Sequence, residues 1–253
     1  MPAGPRTAAP APSAWLSPFP PDVALRQAGE AEAPQMPLLP EERALLSPRA
    51  APRRVLEFTL GRGCARAALT ALAPERAAEL AATPIGREDT RRPRWPAGFV
   101  GSITHHRGHA LAAVARAADY LGVGVDLEAV RAPSPALVRR ILRREERAAW
   151  QDLPPETRDL AFTRLFSAKE SLFKALYPHT GVYLGFQDAA IELQEAVEAE
   201  VLADVAGTSQ RVALRWRLHK ACGADFPAGR AGAGAVVSRG GYVLSGVWVR
   251  RED

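Results

Sequence analysis

Three strand-like runs, FVGSITHH (99–106), HALAAVAR (109–116) and YLGVGVDLEAV (120–130), follow one another with only two or three residues between them. Turns as short as HHRGH and RAAD leave no room for a crossover helix, so this part of the chain cannot be a parallel βαβ unit. The run RRVLEFTLGRGCARAALTAL precedes them, and Val55, Leu56, Leu60, Ala67 and Leu69 give it a partial helical stripe. After them Pro135 opens ALVRRILRREERAAWQ, expected as one charged helix, and a second helix runs through RDLAFTRLFSAKESLFKALYP to a stop at Pro178. The chain then alternates into further strands: AAIELQ, VEAEVLADV, RVALRWRLHK, GAVVSR and YVLSGVWVR. No short-period repeat is present. Two comparable parts, each mixing helix with antiparallel strands, imply an α+β fold of two similar halves.

Proline marks the front of the chain: 12 of the 22 prolines precede residue 53. Residues 1–36 therefore read as a proline-rich, partly disordered segment, with 1–13 disordered throughout. The first half is expected over 37–120 and the second over 121–253. The length of 253 residues is ample for a packed core, and 47% apolar with 24% charged residues excludes collagen-like, wholly disordered and disulfide-scaffold chains. Cys64 and Cys222 stand far apart in no metal or redox spacing, as reduced thiols of a cytoplasmic protein would. The opening residues show neither a charged n-region nor an apolar h-region, and the most apolar stretch, HALAAVARAADYLGVGV, is broken by Arg116 and Asp119. Neither secretion nor membrane spanning is expected.

The net charge of +5 is concentrated in one region. Ten arginines face five acids between Arg49 and Arg94, and the rest of the chain is balanced. Guanidinium groups take phosphate oxygens bidentately, so an arginine-only cluster suits phosphate capture, although a high arginine content from coding bias would look the same. On the helix from Arg53, Arg54, Arg62 and Arg66 fall within one broad face. In GVGVDLEAV, Asp126 and Glu128 are two apart and share a strand face, a pair that a hard cation such as Mg²⁺ would compensate. An isolated D-x-E is equally what the wet face of an edge strand shows. In LFSAKESLFKALYP, Glu170 and Lys174 share a helix face, while Lys169 is turned about 100° away. E-x-x-x-K is also a common surface pair, but Leu165, Phe166, Leu172 and Phe173 surround this one. Ser102, Thr104 and His105 come late on their strand, where hydroxyls and a ring nitrogen could meet an anion.

The order of these pieces, R-x-x-E-F-x-x-G-R-x-C-A-R, W-P-x-G-x-x-G-S-I-T-H, G-V-D-L-E and F-S-A-K-E-S-x-x-K-A-L-Y-P, resembles the 4′-phosphopantetheinyl transferase superfamily. The likeness covers roughly residues 37–190 and is strongest to the monomeric Sfp-type group, in the branch of the enterobactin synthetase transferase. It implies a pseudo-twofold pair of halves, each an antiparallel sheet with packed helices, and an active-site cleft between them. It implies transfer of the phosphopantetheine arm of coenzyme A to a serine of an apo acyl, peptidyl or aryl carrier protein, leaving adenosine 3′,5′-bisphosphate. The cation would be Mg²⁺, or Mn²⁺ in its place. By the same resemblance Asp126, Glu128 and Glu170 are the metal ligands, Glu170 is also the base, and Lys174 contacts the pyrophosphate. Arg54, Arg62, Arg87, Thr104 and His105 would hold the nucleotide phosphates, with Arg91 or Arg92 as alternatives to Arg87. His106 stands where relatives often carry serine or cysteine. The carrier would dock on the second half, with Arg139, Arg140, Arg143 and Arg144 as candidates and the surface around Leu184 and Phe186 as the apolar alternative.

Two rivals stand beside this reading. A nucleic-acid-binding protein would suit the pI of about 9.7 but lacks aromatic interleaving and a recognised motif. A catalytically silent coenzyme A binder of the same fold would have no need of all four of Asp126, Glu128, Glu170 and Lys174.

Overall fold

The computed structural model describes residues 15–90, 92–194, 200–204 and 207–251. Residues 1–13 and Arg91, both subjects of expectations above, lie outside the described residues. The first elements are β1 (Ala24–Gly29), α1 (Pro40–Arg43), α2 (Pro52–Leu72), α3 (Ala77–Ala81), β2 (Gly86–Arg87) and β3 (Pro93–Arg94). Then come β4 (Phe99–His106), β5 (His109–Arg116), β6 (Tyr120–Ala129), α4 (Pro135–Ile141), α5 (Arg144–Asp152) and α6 (Pro155–Thr180). The chain closes with β7 (Ala189–Gln194), β8 (Glu200–Asp204), β9 (Gly207–Leu218), β10 (Ala231–Arg239) and β11 (Tyr242–Arg250).

The strands form two main sheets, β1-β5-β4 and β6-β11-β10-β9-β7 with β8 also on β9, and every pairing is antiparallel. One long helix packs on each: α2 on the first sheet and α6 on the second. The architecture is α+β, in two halves of like plan. In the first half Leu60, Cys64, Ala65, Ala68 and Leu69 of α2 meet Ala110, Ala112 and Val114 of β5. Burying one large aliphatic side chain of this kind stabilises by roughly 1.5–3 kcal/mol.

The sheets meet along β4 and β6 without a backbone ladder. Ser102 Oγ accepts the N–H of Val125 at 3.1 Å and Thr104 Oγ1 that of Leu127 at 3.2 Å. These hydroxyls stand where a neighbouring strand's carbonyls would, and they satisfy buried donors at the seam. Behind it, Leu111 and Ala113 of β5 pack against Val123, Val125 and Leu127 of β6, and Phe19 and Val23 close the cluster.

Three sequence expectations are corrected. Residues 15–36 were grouped by their prolines with the N-terminal segment, yet β1 pairs with β5 along six residues and Phe19 is buried. The expected single helix after Pro135 is two, because Leu142 and Arg143 are extended and the Glu146 carboxylate caps α5 by accepting the Arg143 N–H at 2.7 Å. Pro178 does not stop α6. It lies within the last turn, and the helix ends at Gly181, whose φ of 64° is the left-handed region that favours glycine.

Candidate active site

The site begins with two glycines. A Cβ on Gly122 would lie 2.1 Å from the Ala175 carbonyl oxygen, and one on Gly124 would lie 1.8 Å from that of Ser171. Only glycine lets α6 approach the face of β6 so closely. That face continues two residues on as Asp126 and then Glu128, and the helix brings Glu170 and Lys174 down upon them. Lys174 Nζ donates to Asp126 Oδ1 at 2.7 Å and to the Val125 carbonyl at 3.0 Å. Asp126 is buried, and its Oδ2 has no hydrogen-bond partner among the described residues.

Three carboxylates thus share a half-dry site with one ammonium. Burial pushes Glu128 up to about 7, with repulsion from Asp126 and then Glu170 adding to it against Arg131 and Lys174. Glu170 is raised by burial first and by Asp126 second. An orphaned buried carboxylate oxygen beside two carboxyls that resist ionisation fits a hard divalent cation, and the donor set is all oxygen. With Lys174 seated on Asp126, no three His, Cys, Asp or Glu among the described residues are grouped closely enough to hold a metal. Binding a cation would therefore require the carboxylates to draw together around it, with the free Oδ2 of Asp126 available to it.

The second pole is basic. Arg62 on α2 is buried, stacks 4.5 Å over the Phe58 ring and donates through Nη2 to the Gly86 carbonyl at 3.1 Å. Its Nε finds no partner among the described residues. Its pKa is lowered to about 10, by burial first and then by the charges of Arg54, Arg87 and Arg66, with Glu42 opposing. Guanidiniums held together in this way, one with an unused buried donor, have the chemistry to pair with phosphate oxygens. Arg54 Nη1 lies 3.4 Å from His105 Nε2. The His105 pKa is lowered by burial and by Arg54, Lys174 and Arg53, with Glu57 opposing. His106, next to His105 on β4, brings its Nδ1 to 4.0 Å from Glu128 Oε2, so the two poles adjoin across the seam.

The structure sorts the sequence candidates. Asp126, Glu128, Glu170 and Lys174 converge, as do Arg54, Arg62, Arg87 and His105. Thr104 is buried at the seam, where its Oγ1 accepts the Leu127 N–H and its own O–H is left to donate. Ser102 Oγ accepts the Val125 N–H in the same way. Arg92 is committed to Glu88 and to the Tyr177 carbonyl at the end of α6, whereas Arg87 is exposed; Arg91, the other alternative, lies outside the described residues. Arg66 is paired with fully buried Glu42, which also accepts the Ile85 N–H at 2.9 Å and so fixes the strand carrying Arg87. Lys169 forms a buried pair with Glu146 at 2.7 Å and donates to three carbonyls, a structural role. Glu42 and Glu57 were missed. Their partners are brought to them by the fold, and only the Arg53–Glu57 spacing was visible as a signal.

The description "4′-phosphopantetheinyl transferase N-terminal domain" matches residues 41–115, and "4′-phosphopantetheinyl transferase superfamily" matches 122–230. The transferase Svp of Streptomyces mobaraensis is 40% identical over 176 residues, 68% of each chain.

The chain belongs to the 4′-phosphopantetheinyl transferase superfamily.

The transferase PptT of Mycobacterium tuberculosis is 37% identical over 166 residues, 64% of this chain and 68% of that one. Enterobactin synthase component D of Salmonella typhi is 42% identical over 94 residues, 36% and 37% of the two chains. As a phosphopantetheinyl transferase of the Sfp and enterobactin-synthase type, this protein has the acidic pole within the superfamily match and Arg54, Arg62, Arg87 and His105 within the N-terminal match. No described helix is long and apolar enough to cross a membrane.

Proposed function

We propose that this protein moves the 4′-phosphopantetheine arm of coenzyme A onto a serine hydroxyl of an apo carrier protein, requires Mg²⁺ or Mn²⁺, and releases adenosine 3′,5′-bisphosphate. The observation that carries this reading is the junction of the two poles: β4, which carries His105 beside Arg54, bonds through Thr104 Oγ1 to the Leu127 N–H, between Asp126 and Glu128 on β6, at 3.2 Å. One substrate bearing both a pyrophosphate and a further phosphate spans such a junction.

Arg54, Arg62, Arg87 and His105 would hold the nucleotide phosphates, and Lys174 would turn from Asp126 to the pyrophosphate. Asp126, Glu128 and Glu170 would hold the cation, which when bound neutralises pyrophosphate charge and favours attack at phosphorus. Glu170 takes the serine proton. Its raised pKa brings it toward neutrality, where a carboxylate is a more effective base. The serine oxygen bonds to the β-phosphorus, the bond from that phosphorus to the bridging oxygen breaks, and the electron pair leaves with the bisphosphate held by the arginines.

Both poles come from one chain, which supports a monomer. Two free, buried cysteines suit the cytoplasm. Arg139, Arg140 and Arg144 are exposed on α4 and α5, near α6, and offer an acidic carrier helix a basic approach, whereas Arg143 is engaged by Glu145 and the Gln187 carbonyl.

The test is incubation with coenzyme A, Mg²⁺ and a panel of apo acyl, peptidyl and aryl carriers, read by intact-protein mass. At least one carrier should gain one phosphopantetheine on its serine. Folded protein that modifies none of them would overturn the proposal.

A further inference from the structure

The acid in R-x-x-E-F, Glu57, is not explained by the reaction. It is nearly buried on α2 at 8% exposure, between two cationic or ionisable neighbours. Oε1 accepts Arg53 Nε at 2.9 Å, and Oε2 stands 3.3 Å from His105 Nδ1. On its other edge the same ring points Nε2 at Arg54 Nη1, 3.4 Å away. A guanidinium has donors only, so Nε2 faces it with a lone pair and the ring proton belongs on Nδ1, toward the carboxylate.

We propose that Glu57 is a positioning residue for the nucleotide-phosphate site, holding His105 with Nδ1–H toward itself and Nε2 toward the space beside Arg54, so that the ring can accept a second proton when a phosphate arrives. The inference rests on the coenzyme A reading given above.

An incoming phosphate brings acceptor oxygens to Nε2, where a lone pair would repel them. A proton taken from solvent turns that nitrogen into a donor. Arg54 and Arg53 from α2 and Lys174 from α6 oppose the charged ring, and the Glu57 carboxylate favours it. Two of the three cations have other partners for their charge, Arg53 with Glu57 and Lys174 with Asp126. A bound phosphate supplies Arg54 with its own. The imidazolium then sits between a carboxylate and a phosphate, the arrangement in which a histidine holds its second proton best.

The experiment has two parts, on the intact protein. In the ligand-free wild type, nitrogen NMR of the imidazole should show His105 as the Nδ1–H tautomer, and Glu57→Ala should mix the tautomers. Calorimetric titration with adenosine 3′,5′-bisphosphate, in two buffers of different ionisation heat, should show proton uptake by the wild type. Glu57→Gln keeps the acceptor but loses the charge. It should take up less proton and raise KM for coenzyme A about five- to tenfold, with kcat and the carrier KM nearly unchanged. Glu57→Asp, which keeps the charge, should recover part of the uptake. An Nε2–H tautomer in the wild type, or equal proton uptake by wild type and Glu57→Gln, would overturn the role of Glu57 alone. A wild type that binds neither coenzyme A nor the bisphosphate would instead overturn the functional reading.

Discussion

Glu128→Gln should stabilise the protein when no divalent cation is present. The Glu128 carboxyl is 20% exposed and is pushed from an ordinary 4.5 up to about 7. At about 1.4 kcal/mol per pH unit, that gap corresponds to about 3 kcal/mol, an order-of-magnitude figure because the charges of Asp126 and Glu170 act on Glu128. A carboxyl whose pKa is higher in the folded state holds its proton more tightly there than in the unfolded chain. Its contribution is therefore fully present below about pH 4.5 and lost as pH rises through about 7. The wild type should match Glu128→Gln at pH 4.5 and fall behind it progressively, by about 3 kcal/mol at pH 8. Urea unfolding in chelator at a series of pH values measures the difference. Adding Mg²⁺ at pH 8 should narrow the gap, because the cation binds the native carboxylates of the wild type better. Equal stabilities across the range, or a variant less stable than the wild type at pH 8, would refute the argument.

Three further outcomes follow from the packing and the poles. Gly124→Ala places a methyl against the Ser171 carbonyl oxygen, so it should destabilise by about 1–3 kcal/mol or more and lose turnover as α6 is displaced; wild-type urea midpoint and rate would count against the close approach. Lys169→Met leaves Glu146 buried without its partner and should cost about 3–5 kcal/mol in urea unfolding, a loss that a merely solvated lysine would not show. Arg54→Ala should raise KM for coenzyme A about tenfold or more, since a charge-assisted hydrogen bond contributes ~1.5–3 kcal/mol, and a change confined to the carrier KM would put Arg54 on the wrong partner.

The strands were legible where local turn chemistry closes them. β4, β5 and β11 match their sequence runs because Arg107 and Gly108, with φ of 47° and 82°, and Gly240 and Gly241, with φ of 56° and 80°, make the reversals between neighbours. The acidic pole was legible for a similar reason: period two on β6 and period four on α6 are set by each element alone. β1 was missed because ALRQAG has little alternation of its own and is held by pairing with β5. The break between α4 and α5 depends on Glu146, whose carboxylate is fixed by Lys169 and the Ile191 N–H, two elements distant in sequence. The bond from the Leu127 N–H to Thr104 Oγ1 could not be read from the sequence for the same reason, because it exists only once β6 is laid beside β4.

The central claim is that the acidic and basic poles bind one molecule of coenzyme A together with a cation. Its most direct test is titration of coenzyme A into wild type and Asp126→Ala, each in chelator and in Mg²⁺. Magnesium should tighten binding to the wild type by about tenfold or more, a coupling of at least ~1.4 kcal/mol, and should leave the variant unchanged. Equal affinity of the wild type with and without Mg²⁺, or the same gain in Asp126→Ala, would contradict it.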